Sequence, residues 1–289
     1  LNTHFPEKMS VIKRVCLSGG GVLAYQFLGC LQYVSENSDL TKVKEYIGTS
    51  VGAIICYLLA IGYSPLELLL KLTKSKIWSS LRHPNLVSML QGEGAFSFSP
   101  IHENLEKISI EKIGKLPTLK GLLDGYGSHL TCVTYNMTKG GPECLTPESH
   151  PDLPCLTAIR MSSGVPFVFE AYRYGDSCYI DGGIVNNFPI DLAKDDDETT
   201  LAICVSPTPA KKQTEDKEFD LLKFSLEIIN AATRHATAHN IERTRSKPCT
   251  HLIAMKNVGV EVFQFTFDTS QKLDLFSEGY RDAQEQFLK

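Results

Sequence analysis

The sequence lacks the marks of several protein classes. It has no Cys-x-x-Cys pair: the nine cysteines, at positions 16, 30, 56, 132, 144, 155, 178, 204 and 249, are odd in number and scattered, several inside apparent strands or helices. That pattern excludes a disulfide framework or a cysteine-based zinc site as the organising principle and reads as buried thiols in a reducing compartment. It has no basic excess, since 29 Lys and Arg stand against 33 Asp and Glu for a net charge of -4, which argues against a nucleic-acid protein. It has no apolar run long enough to span a bilayer; the longest, residues 51–62, is soon followed by Pro65. Residues 1–10 lack an apolar signal-peptide core and read as an extension ahead of one domain over 11–289, and a chain beginning at Leu1 reads as a fragment or processed form. No internal repeat or low-complexity segment is found. The expectation is a cytoplasmic protein that meets membranes, if at all, through a local patch, and Asn136-Met137-Thr138 is then a chance glycosylation match.

What is present is a strand-loop-helix pattern. Residues 11–17 are β-branched and apolar, end at Ser18-Gly19-Gly20-Gly21, and lead into helical spacing over 22–35. A second unit follows: a strand at 43–47, a turn around Ser50, and an apolar helix over 51–61. Repetition of this kind predicts a three-layer α/β/α fold with a mostly parallel central sheet, whose sites lie at the carboxyl ends of the strands. Gly19 to Gly21 and Ser50 should converge there. Further strands are expected at 130–136, 178–180, 200–205 and 249–254, and helices at 65–76, 101–108, 152–162, 219–245 and 270–288. The acidic cluster at 195–198 reads as a solvated loop, and the polar stretch 207–217 as a mobile one.

Acyl transfer needs a nucleophile, a group to take its proton, and donors for the oxyanion. One candidate exists for each. In Gly48-Thr49-Ser50-Val51-Gly52 the serine falls at a strand-to-helix joint, where Gly48 and Gly52 remove side chains that would collide across a sharp turn. The helix that follows points its amides back at the turn. The pentapeptide alone fits equally a glycine-flanked turn in which Thr49 or Ser50 caps a helix. Gly19, Gly20 and Gly21 leave backbone amides open to close approach by an oxygen, as an oxyanion loop or a phosphate loop would require. Asp181 ends a short strand and is followed by Gly182 and Gly183, although Asp-Gly is also a common turn dipeptide.

Taken together and in this order, the glycine loop, Gly48-Thr49-Ser50-Val51-Gly52 and Asp181-Gly182-Gly183 resemble the patatin-like phospholipase family. Ser162-Ser163-Gly164-Val165-Pro166-Phe167 is similar to the small-residue-then-proline stretch that precedes the family's aspartate, and Glu278-Gly279-Tyr280-Arg281-Asp282-Ala283 looks like its closing helix. The resemblance covers residues 11–189 through motifs and the remainder more loosely. It implies a Ser50–Asp181 dyad without histidine, amides of the glycine loop as the oxyanion hole, no metal or other cofactor, and a phospholipid or other lipid ester as substrate at a membrane surface. The family usually continues its glycine loop with Arg or Lys and then Gly. Val22-Leu23-Ala24 stands here instead, so Leu23 supplies no positive charge and Ala24 carries a β-carbon.

Other readings stay open. A Ser-His-Asp triad could draw on His235, His239 or His251, all of which follow Asp181. His235 and His239 share a helix face and could ligate a metal, without the glutamate of the zinc-protease signature. Gly19-x-Gly21-x-x-Ala24 satisfies a relaxed dinucleotide fingerprint with Asp39 or Glu45 as the acid. A catalytically impaired membrane- or protein-binding module is motivated by Leu23 and Ala24, and a protein activator is compatible with every hydrolase reading. For lipid access, residues 78–98 read as a flap with Trp78, Leu81, Leu86, Val87, Met89, Leu90, Phe96 and Phe98 as apolar contacts, and Lys71, Lys74, Lys76 and Arg82 facing head groups.

Overall fold

A computed structural model describes residues 10–75, 81, 84–207, 221–245, 247, 249–256 and 267–287. The strands in chain order are β1 (Ser10–Val11), β2 (Arg14–Leu17), β3 (Ser38–Asp39), β4 (Glu45–Thr49), β5 (His129–Asn136), β6 (Gly141–Leu145), β7 (Tyr172–Tyr174), β8 (Ser177–Asp181), β9 (Thr200–Val205) and β10 (Thr250–Met255). The helices are α1 (Ala24–Asn37), α2 (Val51–Ala60), α3 (Pro65–Lys74), α4 (Leu86–Leu90), α5 (Ser99–Ile113), α6 (Leu119–Tyr126), α7 (Cys155–Ser162), α8 (Gly183–Asn186), α9 (Leu221–Arg245) and α10 (Thr269–Gln286). An eight-stranded sheet runs β10-β9-β2-β4-β5-β8-β7, with β6 also paired to β5. From β10 to β5 every pairing is parallel, while β6, β7 and β8 are joined by antiparallel ones. β1 and β3 make a separate two-stranded parallel ribbon.

Alternation along the strands feeds two cores. Val15 and Leu17, and likewise Leu201 and Ile203, turn to the larger one, which they share with α1, α2, α3, α5 and α7. Cys16, Ala202 and Cys204 turn the other way, against Ile241 of α9 and the turn around Phe188 and Ile190. The result is the expected three-layer α/β/α arrangement with a mostly parallel sheet. Six of the nine free cysteines are buried in it.

Several boundaries differ from the sequence pattern, each for a local reason. The strand expected over 11–17 breaks at residues 12 and 13 because β1 leaves to pair with β3. The strand expected at 43–47 slides to Glu45–Thr49, ending at the serine turn. α6 is opened by Thr118, whose hydroxyl accepts from the Gly121 amide at 3.0 Å, and closed by Gly127 in the left-handed region. α3 starts at a capping box between Ser64 and Glu67 with Pro65 at the first helical position. The segment at 208–220 lies outside the described residues.

α1 is held from outside by α10. Gly29 and Gly279 face each other so closely that a β-carbon on either would run into the opposite helix backbone. The Gln26 amide donates to the Lys256 carbonyl at 2.9 Å and to Asp282 Oδ2 at 2.8 Å, and the Cys30 thiol donates to the Gly279 carbonyl at 3.0 Å. This crossing anchors α1, the helix into which the glycine loop leads.

Candidate active site

The edge of β5 explains how two distant residues meet. Cys132 and Val133 pair with β4 and with β6, whereas Thr134 to Asn136 pair with β6 and with β8. β6 therefore occupies one edge along the whole stretch, and β4 and β8 share the other, arriving from opposite directions. Thr49 lies opposite Val133 and Asp181 opposite Thr134, so the two strands end against each other. Ser50 follows one end and Asp181 is the other.

Ser50 takes φ 57° and ψ -126°, a combination costing a side-chain-bearing residue on the order of 1–3 kcal/mol. Two tight approaches leave it room. A β-carbon at Gly52 would sit 2.5 Å from the Leu17 carbonyl oxygen and 2.6 Å from that of Ser18, and one at Gly48 would sit 2.5 Å from the Ala53 nitrogen. The Ser50 amide donates to Ser162 Oγ at 3.0 Å, and that hydroxyl donates to the Val133 carbonyl at 2.6 Å. Thr49 Oγ1 donates to the Asn186 carbonyl at 2.9 Å.

Asp181 is 3 % exposed and Ser50 8 %. Oδ1 of Asp181 accepts from the Gly183 amide at 2.6 Å, while Oδ2 is buried with no hydrogen-bond partner among the described residues. Burial pushes the carboxyl up to about 6, against the opposing influence of the Ser50 hydroxyl and the Gly183 amide, both of which favour the charged form. Gly182 lets β8 close on β5, since a β-carbon there would meet the Val133 carbonyl.

The glycine loop lies beside them, with one correction to its expected role. The Gly19 amide donates to the Asn187 carbonyl at 2.9 Å and is already committed, which leaves Gly20 and Gly21 as candidate donors. Gly21 adopts φ 52°, the left-handed region, which turns the peptide at the head of the short 3-10 segment before α1. The first amides of α2 have no carbonyl one turn back and add donor capacity on the same side. Leu23 is fully buried and Ala24 nearly so, which places both in the core under the loop. Sequence reasoning gave no role to Ser162, Asn187 or Thr49 as clamps. Ser162 and Thr49 stood in quoted motifs and Asn187 did not, and the bonds of all three come from tertiary contact rather than spacing.

The competing residues fall elsewhere. Among the described residues no histidine bonds to Asp181. His251 on β10 packs on Phe287 with ring centroids 4.8 Å apart, in register with Leu201, Val15 and Tyr46. That is three strand spacings from β4 and four residues below Ser50, roughly 20 Å in all. Burial lowers its pKa. His235 and His239 are exposed on α9, and no group of three or more His, Cys, Asp or Glu among the described residues is arranged to hold a metal ion. Glu45 pairs with the buried Arg14 at 2.5 Å, and Asp39 accepts from Thr41, so neither completes a dinucleotide site beside the glycine loop.

The expected flap divides. Leu81, Met89 and Phe98 are buried, Phe98 edge-on to Phe169 at 5.2 Å and beneath the Arg160 guanidinium at 4.5 Å. They are core, not lipid contacts. Leu86, Val87 and Leu90 on α4 are exposed. Phe167 is exposed as well, at φ 69°, and its carbonyl accepts from Ala95 at 2.8 Å. Lys71 is bound to Glu111 at 2.6 Å rather than free for a head group, and Lys74 is exposed. Trp78, Lys76 and Arg82 lie outside the described residues. No helix among the described residues is long and apolar enough to cross a membrane.

The model of the family described as patatin-like phospholipase matches residues 15–194. The chain belongs to that family. A protein of Invertebrate iridescent virus 6 named "Probable lipid hydrolase" is 34% identical over 195 residues, 65% of this chain and 66% of that protein. The calcium-independent phospholipase A2-gamma of Rattus norvegicus is 26% identical over 207 residues, 65% of this chain and 26% of that protein. Among solved structures, VipD from Legionella pneumophila superposes with a TM-score of 0.55 at 15% identity, over 95% of this chain and 66% of that one, a likeness of fold. The chain spans less than two thirds of the length of each of these three.

Proposed function

We propose that this chain is a lipid acyl hydrolase of the phospholipase A type, cleaving fatty-acyl esters of phospholipids through Ser50 and Asp181. The observation that carries the reading is the meeting of a strained, buried serine with a buried carboxyl pushed up to about 6, close to working pH. Ser50 Oγ attacks the ester carbonyl as Asp181 accepts its proton. The amides of Gly20 and Gly21, with the N-terminus of α2, stabilise the oxyanion, an effect worth about 10²- to 10³-fold per donor in comparable sites. Asp181 then returns the proton to the leaving lysolipid alcohol, takes one from the water that attacks the acyl-enzyme, and passes it to Ser50 Oγ as the fatty acid leaves. The names of the viral and rat relatives support lipid as the substrate class, and the rat name supports turnover without calcium. Peripheral membrane contact is proposed for the exposed face of α4 with Phe167, in place of the whole 78–98 stretch.

The test is fatty-acid release from mixed phospholipid vesicles, in chelator and with added calcium, for wild type, Ser50→Ala and Asp181→Asn, together with fluorophosphonate labelling. Activity that survives chelation and disappears in both variants supports the reading. Labelling of Ser50 without vesicle hydrolysis points to a missing activator. Absence of both in folded protein removes the hydrolase reading in favour of a binding module, which the buried Leu23 and the committed Gly19 amide would then explain.

A further inference from the structure

Ser50 could act only if its strained backbone were held against relaxation, and the glycines around it permit the turn without enforcing it. One side chain does enforce it. Ser162, at the end of α7, is completely buried and uses both of its hydrogen-bonding capacities at this point, accepting from the Ser50 amide at 3.0 Å and donating to the Val133 carbonyl at 2.6 Å. Val133 is the residue of β5 opposite Thr49, immediately before the position that faces Asp181. We infer that Ser162 is the positioning residue of the nucleophile: its hydroxyl splices β4 to β5 where β4 turns away, and so fixes Ser50 relative to Asp181.

The chemistry of the hydroxyl makes this directional. Its single proton goes to Val133, so a lone pair faces Ser50 and must be met by that residue's amide. The amide is consumed in the process, which keeps it out of the oxyanion hole and leaves Ser50 to contribute its Oγ alone. Removing the hydroxyl would orphan a buried donor and a buried acceptor at once, and the turn would relax to pair them. A shift of about 1 Å in a nucleophile costs on the order of 10²-fold in rate. The inference rests on Ser50 being the nucleophile, as proposed above, but its structural half does not.

Ser109 supplies a matched control. It is equally buried and also bonded twice, accepting from the Tyr57 hydroxyl at 3.0 Å and donating to the Leu105 carbonyl at 2.6 Å, within α5 and with no bond to the serine turn. Ser162→Ala, Ser162→Thr and Ser109→Ala would be compared by melting temperature, by kcat and KM on para-nitrophenyl butyrate, by the rate of fluorophosphonate labelling, and by amide hydrogen exchange of peptides spanning 48–52. Expected for Ser162→Ala are a fall in kcat and labelling rate on the order of 10- to 100-fold per folded molecule with KM little changed, faster exchange at 48–52, and partial recovery in Ser162→Thr, which keeps the hydroxyl. Ser109→Ala should lose comparable melting temperature and none of the rest. Where Ser162→Ala does not fold, Ser162→Cys keeps the volume with a weaker bond and is read the same way. Wild-type labelling and exchange in Ser162→Ala, or equal losses in Ser109→Ala, would overturn the inference. Faster exchange in Ser162→Ala alongside a wild type that never labels would leave the positioning role standing and remove the hydrolase reading instead.

Discussion

Asp181→Asn should abolish turnover while making the fold more stable at neutral pH. Burial raises the Asp181 pKa from 3.8 to about 6, and a difference of about two pK units corresponds to about 3 kcal/mol. A carboxyl that holds its proton more tightly folded than unfolded gives the native state more bound protons between about pH 4 and 6. Stability therefore falls as pH rises through that window. The full cost is present at pH 7 and above and absent below about pH 4. Asparagine carries no charge, and its Oδ1 can keep the 2.6 Å bond from the Gly183 amide. Its Nδ2 occupies the place of Oδ2, which has no partner among the described residues, so part of the gain is forfeited to an unmatched donor. The net expectation is about 1–3 kcal/mol at pH 8, or roughly 2–10 °C in melting temperature for a chain of this size. Melting curves of wild type and variant from pH 4 to 8 read it directly. A difference that does not change with pH, or a variant less stable than wild type at pH 8, would refute the burial argument.

In the proposed mechanism the same group sets the rate profile: log kcat/KM should climb with unit slope to about pH 6 and then level, because Asp181 would have to be ionised to accept a proton. A climb that continues beyond pH 7 would name a different base. His251→Ala should keep kcat within about twofold of wild type, since roughly 20 Å separates that ring from Ser50; loss of activity in folded variant would revive the triad. Gly279→Val should lower stability by at least about 1–3 kcal/mol in urea denaturation, the usual cost of overpacking, because the new side chain meets the Gln26 backbone of α1. A neutral result would show that α10 can slide on α1.

Much of the arrangement was legible before any coordinates. The two strand-loop-helix units fixed the parallel half of the sheet, and Ser50, Asp181 and the glycine loop stood out because each combines an unusual backbone requirement with a reactive group or free amide. What stayed hidden depends on partners remote in sequence. The apolar residues of 78–98 carry no mark distinguishing Met89, which is buried, from Leu90, which is exposed, since only packing against other segments decides. The direction of β8 was equally unreadable, because a five-residue strand pairs either way until its neighbours are known. Gly19 looked like a donor until the Asn187 carbonyl, 168 residues away, was seen to occupy it. α6, by contrast, was missed although its Thr118 cap and Gly127 stop are ordinary sequence signals.

The head-on meeting of β4 and β8 along β5 also bears on when the site comes into being. Ser50 emerges on an early, locally connected unit, whereas Asp181 can reach it only after β5 is in place and β8 has docked in the reverse sense, closing a loop of more than a hundred residues. Contacts of such long range form late, because chain entropy is spent before they give any return. A chain still being synthesised would therefore carry Ser50 without its proposed partner, and the proposed hydrolysis could begin only after β8 has emerged and docked.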